Sequence, residues 1–320
     1  MMSDHTQATL SVQVIHGRRA GPTIFVSAAV HGDEITGVEV VRRLARSSAL
    51  RRVAGTILLV PVVNTFGFIG HSRYLPDRRD LNRSFPGSPK GSLASRLAHL
   101  FLTEVVARCD YGIDLHSAAV YRDNLPQIRI DLGNARAKEL AEVFAPPVIV
   151  DSNIREGSLR FAAGEMGVPV LVYEAGEGLR LDETSVRTGV TGVLRVMRHL
   201  GMIRKAAVSM SKVGSHVARR STWQRAVEGG ILLAKHSLGD FVRQNEPLGI
   251  ISDPFGDWEA EVRASKAGLI IGRTNLPIVN QGDALFHIAE LPKPVGADTV
   301  LTGWEEEIEV NSLLDEDEIV

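Results

Sequence analysis

Four residues of this chain have types and positions suited to hydrolytic chemistry: His31, Glu34, His116 and Glu174. An apolar run over residues 24–30 ends directly in His31-Gly32-Asp33-Glu34, and a second, over 111–115, contains Asp114 and ends in His116. A third, over 168–173, ends in Glu174-Ala175-Gly176. Imidazole nitrogen and carboxylate oxygen are ligands that zinc takes at about 2 Å, and a set of two His and one carboxylate leaves a fourth position open for water. A tight turn after a strand can aim residues three apart at one point, with Gly32 easing the backbone. Each piece is common alone, since His-x-x-Glu recurs by chance and a strand-terminal His or Glu is often structural. Together they point to a metal site. Bound zinc lowers the pKa of its water toward about 7 and polarises a carbonyl. A neighbouring carboxylate can pass the proton to a leaving amine, and Glu174 is the candidate. Asp114 is expected to face away from His116 and to make no direct bond with it.

A second informative stretch is the polar loop over residues 73–87, RYLPDRRDLNRSFPG. Loops of this length in compact domains are often functional. Its arginines are natural partners for a carboxylate, because the guanidinium fork makes two parallel charge-assisted hydrogen bonds. Some of them must simply be solvated surface charge.

These residues need a scaffold that brings separate segments to one rim. β-branched apolar runs at 23–30, 56–63, 111–115, 148–151 and 168–173 alternate with helical patterns at 35–46, 93–108, 135–144 and 185–200. Such alternation predicts an α/β architecture, a mostly parallel or mixed sheet flanked by helices. In open sheets of this class, ligands gather beyond the carboxyl ends of the strands, where His31, His116 and Glu174 would lie. From 223 to 289 the texture changes to short strands punctuated by turns such as Glu228-Gly229-Gly230 and Gln281-Gly282-Asp283, as in a small all-β barrel or sandwich. The expected divisions are a hydrolase domain over 1–205, a β-barrel domain over 206–292 and an acidic tail over 293–320. A like-charged end such as 304–320 is expected to be solvated or disordered.

The combination His31-Gly32-Asp33-Glu34, Asp80-Leu81-Asn82-Arg83, Asp114-Leu115-His116 and Glu174-Ala175-Gly176 resembles the succinylglutamate desuccinylase/aspartoacylase family, which is related to the zinc carboxypeptidases. The likeness runs from about residue 8 to 290, and the combination is far more specific than any one motif. It implies a carboxypeptidase-like mixed sheet and one zinc ion (Zn2+) per chain on His31, Glu34 and His116. It also implies that Glu174 is the catalytic glutamate, that Arg73 steadies the polarised carbonyl, and that Asn82 and Arg83 clamp a substrate carboxylate. The chain has two residues more than aspartoacylase between Arg73 and Asn82, so Arg78 or Arg79 could take the place of Arg73. The C-terminal β-region resembles the lipoyl/biotinyl barrel-sandwich. Its turn Asp253-Pro254-Phe255-Gly256-Asp257 lacks a lysine, however, and Lys266 lies outside it, so no covalent cofactor is expected.

The implied reaction is zinc-dependent hydrolysis of the amide of a small anionic N-acyl amino acid. The alternatives are a carboxypeptidase acting on short peptides and a non-catalytic binding protein on the same fold. Composition restricts the field further. A formal charge of -2 over 320 residues gives no general attraction to nucleic acid or an anionic membrane. Cys109 is the only cysteine, which excludes an intramolecular disulfide and a cysteine-based zinc site. The apolar runs are too short to cross a bilayer and the first residues do not read as a signal peptide, so a cytoplasmic protein is expected. Homo-oligomerisation is left open.

Overall fold

The computed structural model describes residues 9–291 and 297–309. Its elements follow the chain as β1 (Gln13–His16), β2 (Arg19–Ala28), α1 (Thr36–Arg46), β3 (Ala54–Val60), α2 (Thr65–Ile69), α3 (Leu93–Glu104), β4 (Tyr111–His116), β5 (Arg122–Asn124), β6 (Gln127–Ile130), α4 (Ala135–Phe144), β7 (Val148–Asp151), α5 (Leu159–Glu165), β8 (Val170–Glu174), α6 (Glu183–His199) and β9 (His216–Ala218). They build a mixed eight-stranded sheet in the order β1-β3-β2-β4-β8-β6-β7-β9. The central strands β2, β4 and β8 run parallel and are direct neighbours. Their carboxyl ends therefore open at one place.

Alternation along these strands divides the core in two. Ile24, Val26 and Ala28 of β2 face one side, packed with Val40, Val41 and Leu44 of α1, Leu140 and Phe144 of α4, and Val190 and Val193 of α6. Phe25 faces the other side, with Ala98 and Phe101 of α3 and Leu159 and Ala163 of α5. Residues i and i+2 share a face of a strand, so a sheet buried on both sides must be apolar almost throughout. Each fully buried side chain of this kind is worth about 1.5–3 kcal/mol against exposure. Helix starts are fixed locally: the side chains of Ser92, Asn134, Ser158 and Asp182 accept hydrogen bonds from backbone N–H groups in the first turns of α3, α4, α5 and α6.

The rest of the β-structure comprises β10 (Ser221–Arg225), β11 (Gly230–Ala234), β12 (Phe241–Val242), β13 (Pro247–Ser252), β14 (Glu259–Arg263), β15 (Gly268–Thr274), β16 (Ile278–Val279) and β17 (Ala284–Glu290). Two antiparallel sheets, β10-β17-β15-β12 and β14-β13-β11-β16, enclose an apolar core that includes Leu232, Ile251, Leu285 and Ile288. They are joined to the large mixed sheet and its loops in two ways. Strand β5, from the segment after His116, pairs antiparallel with β15. Val148, Val150 and Ala218 share a cluster with Leu269, Ile271 and Ala289. Strand β9 lies beyond residue 205 and still completes the large sheet.

The acidic end departs from expectation. Residues 297–309 form helix α7 (Ala297–Glu309), with Trp304 and Ile308 buried. Glu307 accepts a hydrogen bond from the buried Arg195 of α6 at 3.0 Å and another from the Lys212 backbone N–H at 2.7 Å. Glu305, Glu306 and Glu309 are exposed while Trp304 and Ile308 are buried, so the run is part of an amphipathic helix, with Glu307 turned toward α6. Residues 310–320 lie outside the described residues.

Candidate functional site

Strand order delivers the chemistry. His31 and Glu34 follow β2, His116 ends β4, and Glu174 ends β8 directly opposite His116 in the parallel register. The turn at Gly32 passes so close to α2 that a Cβ there would lie 1.9 Å from the Gly67 carbonyl carbon. Lack of space, rather than backbone freedom, demands this glycine.

Glu34 is the hub. Its Oε1 lies 2.7 Å from His31 Nδ1 and its Oε2 lies 2.7 Å from His116 Nδ1, with all three side chains buried. One ligand atom from each of His31, Glu34 and His116 lies within 4.8 Å of the others, so this cluster can hold a metal ion. The outer nitrogens are also engaged. His116 Nε2 lies 2.7 Å from Asp114 Oδ2, and His31 Nε2 lies 3.1 Å from Asp80 Oδ1. Carboxylates on the far ring nitrogens hold the proton there and turn the other nitrogen toward a metal. The donor set therefore fits a divalent cation such as zinc: two imidazoles and one carboxylate, backed by two further acids.

The charges of these side chains compensate one another. Burial alone would raise the pKa of Glu34, but the two imidazoles outweigh it and hold the carboxyl well below the usual range. Burial likewise opposes charge on His116 and is outweighed by Asp114 and Glu34, so this imidazole titrates well above its ordinary value. His31 moves the same way, with burial outweighed by Glu34 and Asp80.

The expectation that Asp114 turns away from His116 is wrong. Two residues apart on β4, they share a face, and Asp114 is anchored from behind by the Ser27 hydroxyl, which donates to its Oδ1 at 2.7 Å. Asp80 belonged to a recognised motif without a role of its own. It binds His31 and also accepts from Arg73 Nη2 at 2.9 Å.

A cavity of about 420 Å3 opens over the cluster. Arg73, Asn82, Arg83 and Glu174 line it together with the three cluster residues. Arg73 Nη1 is 3.3 Å from Glu34 Oε1. Arg78 and Arg79 are exposed and absent from the cavity wall, so the structure brings Arg73 to the site and not its alternatives. Asn82 Oδ1 accepts from the Leu159 backbone N–H at 2.9 Å, tying the loop to α5, while the Arg83 guanidinium is at the exposed mouth. Glu174 is gripped at both oxygens: Asn124 Nδ2 donates to Oε2 at 3.1 Å, and Arg129 Nη1 lies 3.5 Å from Oε1.

Further wall residues escaped sequence reading. Arg122, Arg129, Arg155 and Arg160 join Arg73 and Arg83, making the cavity strongly basic. Arg160 donates through Nη2 to the Ser152 and Asn153 carbonyls at 2.9 Å, yet its Nη1 is buried without a hydrogen-bond partner. The polar residue in Gln127-Ile128-Arg129-Ile130 was the available signal for Arg129, because a charge inside an apolar strand needs a reason. Nothing comparable marks Arg160.

From the C-terminal sheets, Trp223 of β10 reaches the cavity wall, stacked on His287 of β17 with ring centroids 4.6 Å apart and planes at 5°. Arg122 covers the same indole at 5.5 Å from its ring centroid. Burial, reinforced by nearby Arg129, pushes the His287 imidazole down to about 3. A histidine so depressed stays neutral in the fold but takes up a proton near its ordinary value once unfolded. Its contribution is therefore complete above about pH 6.5 and declines on acidification toward the folded value, by about 1.4 kcal/mol per unit. Denaturant melts at pH 6.5 and pH 5 should show His287→Phe losing less stability than the unmodified protein, by as much as about 2 kcal/mol. A variant with an equally steep decline would contradict this environment for His287.

Comparison with known proteins agrees with the geometry. Residues 20–200 match the model of the succinylglutamate desuccinylase/aspartoacylase catalytic domain. The chain is 27% identical over 291 residues to the N-alpha-acetyl-L-2,4-diaminobutyric acid deacetylase of Halomonas elongata, covering 87% of this chain and 85% of that protein. A product-bound structure of the ectoine utilization protein EutE (DoeB) from Ruegeria pomeroyi superposes with a TM-score of 0.79 at 26% identity, covering 88% of each chain. The crystal structure of a succinylglutamate desuccinylase/aspartoacylase from Rhodobacter sphaeroides gives 0.77 at 27% identity, covering 88% of this chain and 89% of that one. No helix among the described residues is long and apolar enough to cross a membrane. With a family model spanning more than half its length and a metal-competent cluster at the carboxyl ends of β2, β4 and β8, the chain belongs to the succinylglutamate desuccinylase/aspartoacylase family.

Proposed function

We propose that this protein is a zinc-dependent deacylase that hydrolyses the amide of a small N-acyl amino acid. The observation that carries the reading is the meeting of His31, Glu34 and His116 from separate strands beside Glu174, at the floor of an arginine-lined cavity. His31, Glu34 and His116 would hold the zinc ion, which when bound would supply a Lewis acid for the scissile carbonyl and an activated water. Glu174 takes the proton from the attacking water as the C–O bond forms, and delivers it to the amine nitrogen as the C–N bond breaks. Asn124 and Arg129 keep its two oxygens aimed. Arg73, beside Glu34, stabilises negative charge developing on the carbonyl oxygen. Asn82 and Arg83 bind an anionic end of the substrate. A volume of about 420 Å3 suits such a molecule, and Trp223 contributes an aromatic surface to its wall.

The relative from Halomonas elongata is named for a substrate with a side-chain amine. Here the acids of the cavity wall are already bonded: Glu34 to both imidazoles, Asp114 to His116 and Ser27, and Glu174 to Asn124 and Arg129. The buried Nη1 of Arg160 lacks a partner. A second anionic group on the substrate fits this balance better than an ammonium does.

Amine release from the zinc-loaded protein with the N-acetyl and N-succinyl derivatives of aspartate, glutamate and 2,4-diaminobutyrate tests both points. The expected result is hydrolysis, with kcat/KM for N-acetyl-aspartate and N-acetyl-glutamate at least about 10²-fold above that for N-acetyl-2,4-diaminobutyrate, since a buried cation facing the wrong charge is strongly penalised. Release from none of the six would reject the deacylase reading. Equal rates would reject the preference for a second anion.

A further inference from the structure

Strand β15 belongs to the C-terminal sheets, yet it reaches the carboxylate of Glu174 by two routes. On the first, Asn124 pairs with Gly272 across β5 and β15, and its buried side chain donates from Nδ2 to Glu174 Oε2 at 3.1 Å. The backbone of Asn124 is pinned to the turn after Glu174, with the Gly176 N–H donating to the Asn124 carbonyl at 2.9 Å and the Asn124 N–H to the Gly176 carbonyl at 3.3 Å. On the second, the fully buried Gln127 donates from Nε2 to the Ile271 carbonyl at 3.0 Å, while its Oε1 accepts from Arg129 Nε at 3.3 Å. Arg129 then presents Nη1 to Glu174 Oε1 at 3.5 Å. One strand thus governs both oxygens.

Gly272 makes the first route possible. A Cβ at this position would stand 2.9 Å from Asn124 Oδ1 and 3.2 Å from His287 Cβ. The Asn124 amide is the movable part of that contact, so a methyl group there displaces the amide before it displaces backbone.

Resting on the assignment of Glu174 as acid/base, we propose that Asn124, seated against Gly272 of β15, is a positioning residue for the Glu174 carboxylate, so that the C-terminal β-structure takes part in catalysis as well as enclosing the cavity. Asn124 borders the cavity but stands outside the metal-competent cluster, and its side-chain amide is spent on Glu174. It acts through Glu174 alone. A group held within hydrogen-bonding reach of the proton it moves contributes to turnover, and one that swings free loses part of that contribution.

The test is a double-mutant cycle on the fastest of the six N-acyl amino acids named above, with Asn124→Ala and Gly272→Ala made alone and in a Glu174→Gln background. Each single variant should lower kcat about tenfold and leave KM within about twofold, the signature of an interaction used in the transition state. In the Glu174→Gln background the same substitutions should change the residual rate less than about twofold, because residues acting as a unit are not additive. Bound zinc per chain should be unchanged throughout. In 1H–15N spectra the Asn124 side-chain amide should shift in both Gly272→Ala and Glu174→Gln.

Unchanged kcat in Asn124→Ala, or a loss of equal size with Glu174 already removed, would overturn the inference while leaving the role of Glu174 intact. Near-normal turnover by Glu174→Gln itself would sink the acid/base assignment and this inference with it. If Gly272→Ala does not fold, Asn124→Ala decides alone.

Discussion

Replacing Glu174 with Gln should lower kcat by about 10²- to 10⁴-fold, the range general acid–base catalysis supplies, without removing bound metal. The substitution keeps the shape of the side chain and one acceptor oxygen for Asn124, which donates to it at 3.1 Å. It removes the capacity to carry a proton from water to the leaving amine. Because Glu174 stands outside the cluster of His31, Glu34 and His116, zinc content measured by atomic absorption should match that of the unmodified protein. KM should change little, since this carboxylate is used in the transition state and not to hold the ground state. Retention of more than a tenth of the normal kcat would remove Glu174 from the mechanism.

His116→Ala should fail in a different way. It deletes one of the three proposed ligands and leaves Glu34 Oε2 and Asp114 Oδ2, each 2.7 Å from the lost imidazole, without that buried partner. Stripping an outer carboxylate from a ligating histidine typically weakens metal binding by about 10–100-fold, so loss of the ligand itself should exceed that. Stranding buried carboxylates costs about 3–5 kcal/mol when one member of a buried pair is removed. The variant should therefore be metal-poor, inactive and less stable, and added zinc should restore little. Dialysis against zinc buffers read by inductively coupled plasma spectrometry separates the cases: full zinc occupancy in His116→Ala would show that the ion sits elsewhere.

Much of the site was legible because it depends on where strands end. Runs of β-branched residues located β2, β4 and β8 to within a few positions, and the first polar residue after each run fell on the rim. That they are direct neighbours in the sheet was not readable, since strand order is decided by long-range pairing. Asp114 was misjudged by face, although the two-residue period of a strand places it beside His116. Strands β5 and β6 carry only three and four residues and no apolar alternation long enough to announce them. Asn124 was hidden with them, and Arg129 was marked only by its charge between two isoleucines. Arg160 and Trp223 look like ordinary surface residues in sequence, and only the folding of α5 and the C-terminal sheets onto the cavity gives them a role. Helix α7 shows the opposite error: charge composition masked an amphipathic pattern anchored by Trp304 and Ile308.

All of these roles require a single cation bound where β2 and β4 end. Anomalous diffraction at the zinc absorption edge from crystals of the zinc-loaded protein addresses that most directly. One peak per chain bonded to His31 Nδ1, Glu34 and His116 Nδ1 is the expected result. A peak at other residues, or none in a protein that still hydrolyses its substrate, would contradict the account.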